Sequence, residues 1–338
     1  MKRERYTMKL FFRMVLFFIL ALVFIGCGQQ GATSTAGSQG DASKRTEAVE
    51  PKEEGFRTVS TQKGEVKIPA NPKRVVELAN STEELLIMGI KPVMSSALSN
   101  GKIPPYLEGK LDGVNVVNAN SVKVEDILAM KPDLILLSAR TEKLYEQASK
   151  IAPTIQLQGD FYTWRERFPE LAAIFGKEKE MKEWMAQYEA KAKKIGDEIK
   201  AKTGSETFAL YVSNQSHYRI YGKALIGDVL FTDLGLPMAE GTPTKTTVEQ
   251  VSLESLYKYN PDHIFLGYYA GGGGNTQANL EIAKKKNADL QSSELFKKLK
   301  AYETGNVYSL EYATWSLGTY PLGKEQALEK IRDIILKK

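Results

Sequence analysis

Two glutamates, Glu125 and Glu254, occupy equivalent positions in a segment that the chain contains twice. The copies VKVEDILAMKPDLILL (residues 122–137) and VSLESLYKYNPDHIFL (251–266) are 129 residues apart and share six of their sixteen residues. Each copy predicts a short helix, a Pro-Asp turn and an apolar strand. One matched carboxylate per copy suits a pseudo-symmetric partner with two basic pockets. The alternative is that each acid merely favours the dipole of its own helix.

Catalytic and metal-binding motifs are largely missing from the sequence. The run Gly271–Gly274 is not followed by Lys-Ser/Thr, and neither G-x-S-x-G nor H-E-x-x-H occurs. A single cysteine and two histidines, His217 and His263, argue against a metal site built from several such residues. We therefore expect no enzyme, no metal ligands and no cofactor. A glycosidase needs only two carboxylates and stays open on residue counts alone.

The first 26 residues have the layout of a secretory signal. Their lysines and arginines outnumber the single glutamate by four, out of a net charge of +5 for all 338 residues. The rest of the chain is thus nearly neutral, which argues against nucleic-acid binding. The apolar run Leu10–Ile25 is interrupted by Arg13, and the stretch that remains is too short for a permanent membrane span.

The only cysteine, Cys27, ends the sequence Phe24-Ile25-Gly26-Cys27, which resembles a bacterial lipobox. We expect a signal peptide over residues 1–26, acyl chains such as palmitate on Cys27, and a flexible polar tether over residues 27–54. The protein would then be a lipoprotein on the outer face of the cytoplasmic membrane. The alternative is a buried cysteine beside a signal that is cleaved elsewhere.

The elements that must position the paired glutamates follow from the repeat. Strands and helices alternate on both sides of one long helix, predicted over Glu178–Lys202, whose apolar residues form a single stripe. We predict an α/β fold with two similar lobes of mostly parallel sheet joined by this helix. The predicted boundaries are 55–165 for the N-terminal lobe, 166–204 for the connecting helical segment and 205–338 for the C-terminal lobe. Ser81 and Glu84 are spaced for a capping box.

These features together resemble a known family. The lipobox, the opening NPKRVVELANSTEELLIMGI, the paired segments and IYGKALIGDVLFTDLGLP are similar to the substrate-binding proteins of ABC importers for ferric siderophores, haem or vitamin B12. The resemblance covers nearly everything from about residue 56 onwards. It implies transport of a ferric chelate, with iron present only inside the ligand. It also implies that Glu125 and Glu254 form salt bridges with arginines of a membrane permease.

The resemblance places the ligand between the lobes, at the carboxyl ends of the strands. Residues just past predicted strands are then the candidate ligand contacts: Arg140, Arg219, Tyr221, Tyr268 and Trp315. Arginine can meet several chelate oxygens, and aromatic rings offer flat apolar walls. For each residue the alternative is a packing role at a strand end.

One departure from some siderophore binders bears on the ligand. They carry an Arg or Trp in the stretch equivalent to Lys223–Ile226, which reads Lys-Ala-Leu-Ile here. A less charged ferric hydroxamate is therefore modestly preferred over a triply charged catecholate. Haem, cobalamin and ferric citrate are the alternative ligands, and an exported enzyme or a structural lipoprotein are the alternative classes. We expect a monomer.

Overall fold

Two five-stranded sheets, each built from short apolar segments, carry the fold. The computed structural model describes residues 55–97, 103–158, 164–244, 248–269, 277–310 and 319–337. These residues belong to one unit, Pro51–Lys338. The predicted signal, tether and lipidation site (residues 1–54) lie outside the described residues, as does Trp315. A hairpin of β1 (Phe56–Thr61) and β2 (Gly64–Pro69) comes first among the described residues.

The N-terminal sheet is parallel throughout, with strand order β5-β4-β3-β6-β7. Its strands are β3 (Val75–Leu78), β4 (Met94–Ser95), β5 (Asn115–Val116), β6 (Leu134–Leu137) and β7 (Thr154–Gln156). Both faces are covered, so β3 and β6 are buried along their whole length; the sequence of β6 is accordingly apolar throughout, and that of β3 is apolar except at Glu77. The helices are α1 (Thr82–Ile87), α2 (Val124–Ala129) and α3 (Tyr145–Ala148), with 3-10 turns at Pro105–Leu107 and Ala139–Leu144.

Two helices connect the lobes, α4 (Trp164–Phe175) and the long α5 (Glu178–Thr203). The apolar stripe of α5 is buried at Met181, Tyr188 and Ile195, as its helical spacing predicts. Gly196 allows α5 to approach the C-terminal lobe closely, because a methyl group at this position would overlap the carbonyl oxygen of Leu234. The predicted connecting helix is therefore confirmed, one residue longer than expected.

The C-terminal sheet has strand order β10-β9-β8-β11-β12. Strands β8 (Phe208–Ser213), β11 (His263–Tyr268) and β12 (Val307–Ser309) are parallel, whereas β9 (Tyr218–Tyr221) and β10 (Val248–Val251) are antiparallel. The helices are α6 (Ile226–Asp228), which continues as a π-helical turn (Val229–Asp233), α7 (Leu253–Tyr259), α8 (Gln277–Ser292), α9 (Glu294–Lys297), α10 (Lys300–Glu303) and α11 (Pro321–Leu336). None of the described helices is long and apolar enough to cross a membrane.

The repeated segments perform the same structural task in both lobes. In the first copy, Asp133 accepts hydrogen bonds from the backbone N–H groups of Lys73 (2.7 Å) and Arg74 (2.8 Å) just before β3. In the second, Asp262 accepts them from the N–H (2.8 Å) and hydroxyl (2.9 Å) of Thr207 just before β8. The Pro-Asp turn thus ties the central strands together in each lobe, and the two similar α/β lobes are confirmed.

One local prediction is wrong. Ser81 precedes α1, but its side chain accepts no capping hydrogen bond; its hydroxyl instead donates to Glu77 (3.2 Å). Glu84 is fully buried and forms an ion pair with Arg167 of α4, so it does not reach back to the helix start. A buried ion pair across two helices therefore replaces the local capping box, because a carboxylate taken out of water needs a cation.

Glu83 joins the N-terminal lobe to the last helix of the chain. Its carboxylate is 3% exposed and accepts hydrogen bonds from the N–H groups of Leu322 (2.7 Å) and Gly323 (3.0 Å) at the start of α11. It also accepts one from the hydroxyl of Tyr106 (2.8 Å). The first N–H groups of a helix have no partner within the helix, so a carboxylate from the other lobe satisfies them.

A second buried network ties α11 to the connecting helices. The ammonium of Lys324, 2% exposed, lies 2.6 Å from an oxygen of Asp228 and 3.7 Å from one of Asp233. Asp233 also pairs with Arg165 of α4 (2.5 Å) and accepts a hydrogen bond from the hydroxyl of Tyr188 in α5 (2.5 Å). Removing one partner would leave an uncompensated buried charge, so these elements are held in one arrangement.

Glu83 should make stability depend on pH. Burial raises its pKa to about 7, above the ~4.3 of an unfolded glutamate. The stabilisation that this shift provides is complete below pH ~4.3 and is lost as the pH rises through about 7, amounting to about 4 kcal/mol. We expect the unfolding free energy of the wild type to fall relative to that of Glu83→Gln between pH 5 and 8, as measured by urea denaturation.

The exposed Glu108 provides the matched control. Glu108→Gln should keep the pH dependence of the wild type. If Glu83→Gln also followed the wild type across this range, Glu83 would not titrate in the folded protein.

Candidate functional site

A buried carboxylate shapes the carboxyl end of the N-terminal sheet. Glu77 of β3 is fully buried and accepts hydrogen bonds from the N–H groups of Ala79 (2.7 Å) and Ser81 (2.8 Å). The hydroxyls of Thr82 (2.5 Å) and Ser96 (3.1 Å) also donate to it. One side chain thereby fixes the loops that follow β3 and β4, which are the loops that face a ligand in open α/β sheets.

Arg140 lies at this same edge, in the 3-10 turn that follows β6. The turn is anchored by Thr141, whose hydroxyl accepts the N–H of Ser138 (3.0 Å) and lies 3.2 Å from the carbonyl oxygen of Leu78 at the end of β3. Arg140 itself is exposed. The structure therefore places an arginine on a fixed turn beyond the carboxyl end of the sheet.

The carboxyl end of the C-terminal sheet carries a cluster formed by Asn214, His217, Arg219 and Tyr269. Arg219 Nε donates a hydrogen bond to His217 Nε2 (2.8 Å), and the guanidinium lies 5.5 Å from the centre of the Tyr269 ring. The side-chain carbonyl of Asn214 accepts the N–H of His217 (2.9 Å), and its amide nitrogen is 3.4 Å from the Tyr269 hydroxyl. The tight turn between β8 and β9 brings Asn214, His217 and Arg219 together, and the pairing of β11 with β8 adds Tyr269.

The electrostatics of this cluster favour a neutral imidazole beside a fixed cation. Burial and the charges of Arg219 and Lys286 lower the pKa of His217. Neutral His217 accepts the Arg219 hydrogen bond at Nε2, which leaves its proton on Nδ1. Among the residues that the structure describes, no carboxylate pairs with Arg219. A half-buried guanidinium without an acidic partner is suited to bind the anionic oxygens of a ligand.

The remaining candidate ligand contacts differ in their positions. Tyr268, half-buried, pairs with Ser213 at the end of β8, and Arg219 pairs with Val212, so both flank the same strand end. Tyr221 is 3% exposed and belongs to the hydrophobic core. Arg140 is on the other sheet, and Trp315 is outside the described residues. Because Val212 and Ser213 are consecutive, the side chains of Arg219 and Tyr268 lie on opposite faces of the sheet. The structure thus places Arg219, but not Tyr268, in the cluster and gives Tyr221 a core position.

Sequence reasoning missed three members of the cluster, Asn214, His217 and Tyr269. The signals were present: Asn214 and His217 bound a short turn between two strands, and Tyr269 directly follows Tyr268. Strand ends alone do not reveal which residue of the Tyr-Tyr pair lies beside an arginine on a neighbouring strand. His263, by contrast, is buried within the core and stacks on Phe208.

The matched glutamates are both exposed and stand at the second residue of their helices, α2 for Glu125 and α7 for Glu254. Hydrogen bonds from its own backbone N–H and from Ser252 lower the pKa of Glu254, so this carboxylate is charged at neutral pH. Within the described ranges, no three His, Cys, Asp or Glu side chains group as metal ligands.

Comparison with known proteins identifies the class. Residues 77–313 match the family model described as periplasmic binding protein, and the chain belongs to this family. The chain is accordingly a substrate-binding protein and not an enzyme.

Individual relatives cover most of the chain. The probable siderophore-binding lipoprotein YfiY of Bacillus subtilis is 31% identical over 80% of this chain and 84% of its own length. The iron(3+)-hydroxamate-binding protein FhuD of the same organism is 28% identical over 83% and 86%. The crystal structure of Staphylococcus aureus SirA with staphyloferrin B superposes with a TM-score of 0.70 at 26% identity, covering 83% of this chain and 98% of that one.

The arrangement of His217 and Arg219 can be tested by NMR. We expect His217 to titrate below the 6.5 of free imidazole, with its proton on Nδ1, because burial and then the charge of Arg219 both disfavour the protonated ring. Arg219→Gln should raise this pKa. Since the chain has only two histidines, long-range proton–nitrogen spectra resolve both rings.

Arg140→Gln, on the other sheet, is the control and should leave the His217 titration unchanged. A protonated His217 at neutral pH, or no response to Arg219→Gln, would contradict the arrangement.

Proposed function

We propose that the protein captures a ferric siderophore between its two lobes and delivers it to an ABC permease in the cytoplasmic membrane. Iron enters as part of the preformed chelate and not through protein ligands. The protein works as a monomer anchored to the membrane through lipid on Cys27. Capture is non-covalent, and the junction between the lobes permits only modest closure.

The observation that carries this proposal is Arg219, a cation without a described acidic partner that neutral His217 holds at the carboxyl end of the C-terminal sheet. Its two terminal nitrogens offer N–H donors in a fixed plane. Chelates of ferric iron present several anionic oxygens on a bulky surface, and the ring of Tyr269 beside the guanidinium adds a flat apolar wall. Arg140 supplies a matching cation from the N-terminal lobe.

Ferric hydroxamates are the ligand class that we favour. A triply charged catecholate favours a strongly basic pocket, but the stretch Lys223–Ile226, where some siderophore binders carry an Arg or Trp, reads Lys-Ala-Leu-Ile; a hydroxamate chelate carries less charge. Two relatives from Bacillus subtilis are described as iron(3+)-hydroxamate-binding proteins. Others bind different chelates by their names, ferric citrate and petrobactin among them. Haem, cobalamin and ferric citrate are the alternatives that a ligand panel must include.

Anchoring and delivery are supported by different parts of the chain. The lipobox-like sequence before Cys27 supports a lipid anchor, and two relatives are described as lipoproteins. The exposed glutamates Glu125 and Glu254 support docking, since acids on two related helices can meet two basic sites of a permease.

A ligand panel tests capture directly. Equilibrium dialysis of residues 51–338 against ferric hydroxamates, ferric catecholates, ferric citrate, haem and cobalamin should give saturable binding of a hydroxamate. Arg219→Gln and Arg140→Gln should each weaken that binding by about 10- to 100-fold, as expected when a charged hydrogen-bond donor is lost.

Lys150→Gln, at an exposed position in the N-terminal lobe, is the control and should bind as the wild type does. Binding of another ligand class would replace the hydroxamate assignment. If no ligand of the panel bound, the siderophore function itself would be rejected.

If the glutamates dock the protein onto the permease, their loss should slow uptake of the chelate without weakening its binding to the protein. The double variant Glu125→Ala/Glu254→Ala should take up radioactive ferric chelate at least tenfold more slowly in cells that lack the native gene, because two exposed charges that guide encounter are lost. Its chelate affinity and melting temperature should match those of the wild type. Glu146→Ala, also exposed, is the control. An equal loss of chelate binding would show that these glutamates support the ligand site instead.

A further inference from the structure

Two exposed apolar side chains occupy equivalent positions of the repeat. Six large apolar side chains are exposed in the described part of the chain, and Leu128, at 58%, is the most exposed of them. Tyr257, at 46%, stands 129 residues later, which is the offset of the repeat. A single exposed leucine needs no explanation in a soluble protein. A matched pair of exposed apolar residues, one in each lobe, does need an explanation.

The contacts between each helix and its lobe are made by other residues than Leu128 and Tyr257. Ile127 of α2 and Leu256 of α7, also 129 residues apart, are 0% and 1% exposed and supply the contacts of each helix to its lobe. The next residue in each copy, Leu128 or Tyr257, points away from the lobe. The exposure of the pair therefore follows from the way both helices pack.

Each exposed apolar residue lies three positions after the matched glutamate. Residues three apart are neighbours on a helix surface, so Glu125 adjoins Leu128 and Glu254 adjoins Tyr257. Each lobe thus presents one carboxylate beside one apolar side chain, and the two lobes present them in the same order along the helix.

We propose that these two acid–apolar pairs form the docking surface for the permease, which would offer a basic side chain beside an apolar pocket at two related positions. This inference rests on the proposed function and adds apolar contacts to the charged contacts that the glutamates make in docking. The glutamates would steer the encounter, whereas burial of Leu128 and Tyr257 would slow dissociation.

Charge complementarity selects this occupant over others. A second copy of the chain would bring the same glutamates against each other, and an anionic lipid surface would repel them. A partner with two related basic sites is the arrangement that satisfies both lobes at once. Because Leu128 and Tyr257 differ in shape, the two pockets of the permease need not be identical.

The test uses the full-length chain in cells whose own copy of the gene is deleted. Leu128→Ser/Tyr257→Ser should reduce uptake of the radioactive chelate at least tenfold, with unchanged chelate affinity and surface amount. Raised salt should still slow this residual uptake, because the glutamates remain. In Glu125→Gln/Glu254→Gln the residual uptake should lose its salt dependence.

Ile282→Ser/Leu295→Ser is the matched control, since both side chains are exposed but lie outside the repeat. A photoreactive benzoylphenylalanine at position 128 or 257 should cross-link to an ABC-importer permease, identified by mass spectrometry, and one at position 295 should not. Wild-type uptake by the Leu128→Ser/Tyr257→Ser variant would overturn the proposal, as would cross-links only to a second copy of the chain or to lipid. Failure of the proposed function is seen separately, when no ligand of the panel binds the wild type.

Discussion

The need to satisfy polar groups that are buried where the lobes and the connecting helices meet constrains the rest of this structure. Glu83 reaches from the N-terminal lobe to the first N–H groups of α11, and Lys324, the residue after Gly323, meets Asp228 and Asp233. Each of these groups has left water and depends on a partner from another element. Opening the lobes widely would separate Glu83 from its donors, so the two sheets keep a nearly fixed relation.

A fixed relation between the sheets suits capture of a bulky, preformed ligand. Each sheet ends in loops that buried polar groups hold in place: Glu77 does so in the N-terminal lobe, and Asn214 orders the turn before His217 in the other. If Arg219 contacts the ligand as proposed, it needs little reorganisation on binding, because its hydrogen bond to His217 already sets the plane of the guanidinium. Binding energy that would otherwise be spent on ordering side chains is retained as affinity.

Much of the fold could be predicted from the sequence, because it rests on periodicity and repetition. The unbroken apolar strands, the stripe of α5 and the Pro-Asp turns are local signals, and all appear in the structure. The hairpin β1–β2 and the edge strand β10 were missed, since their residues alternate without a strongly apolar face.

The predicted capping box at Ser81 was wrong because Glu84 forms an ion pair with Arg167, which is 83 positions away in the sequence. For the same reason the site was only partly predicted: the candidates Arg219 and Tyr268 do lie at one strand end, but the link from Arg219 to His217 and Tyr269 depends on pairing between strands.

The distance between the lobes, measured by double electron–electron resonance, tests the fixed junction most directly. Spin labels on Lys150→Cys and Lys298→Cys, in a chain with Cys27→Ser, report one exposed site in each lobe. The buried junction predicts a single narrow distance distribution that shifts by about 2 Å or less when the ferric chelate binds. A broad or two-component distribution that collapses to a much shorter distance on binding would show that the lobes hinge freely, and would contradict a junction held by Glu83 and Lys324.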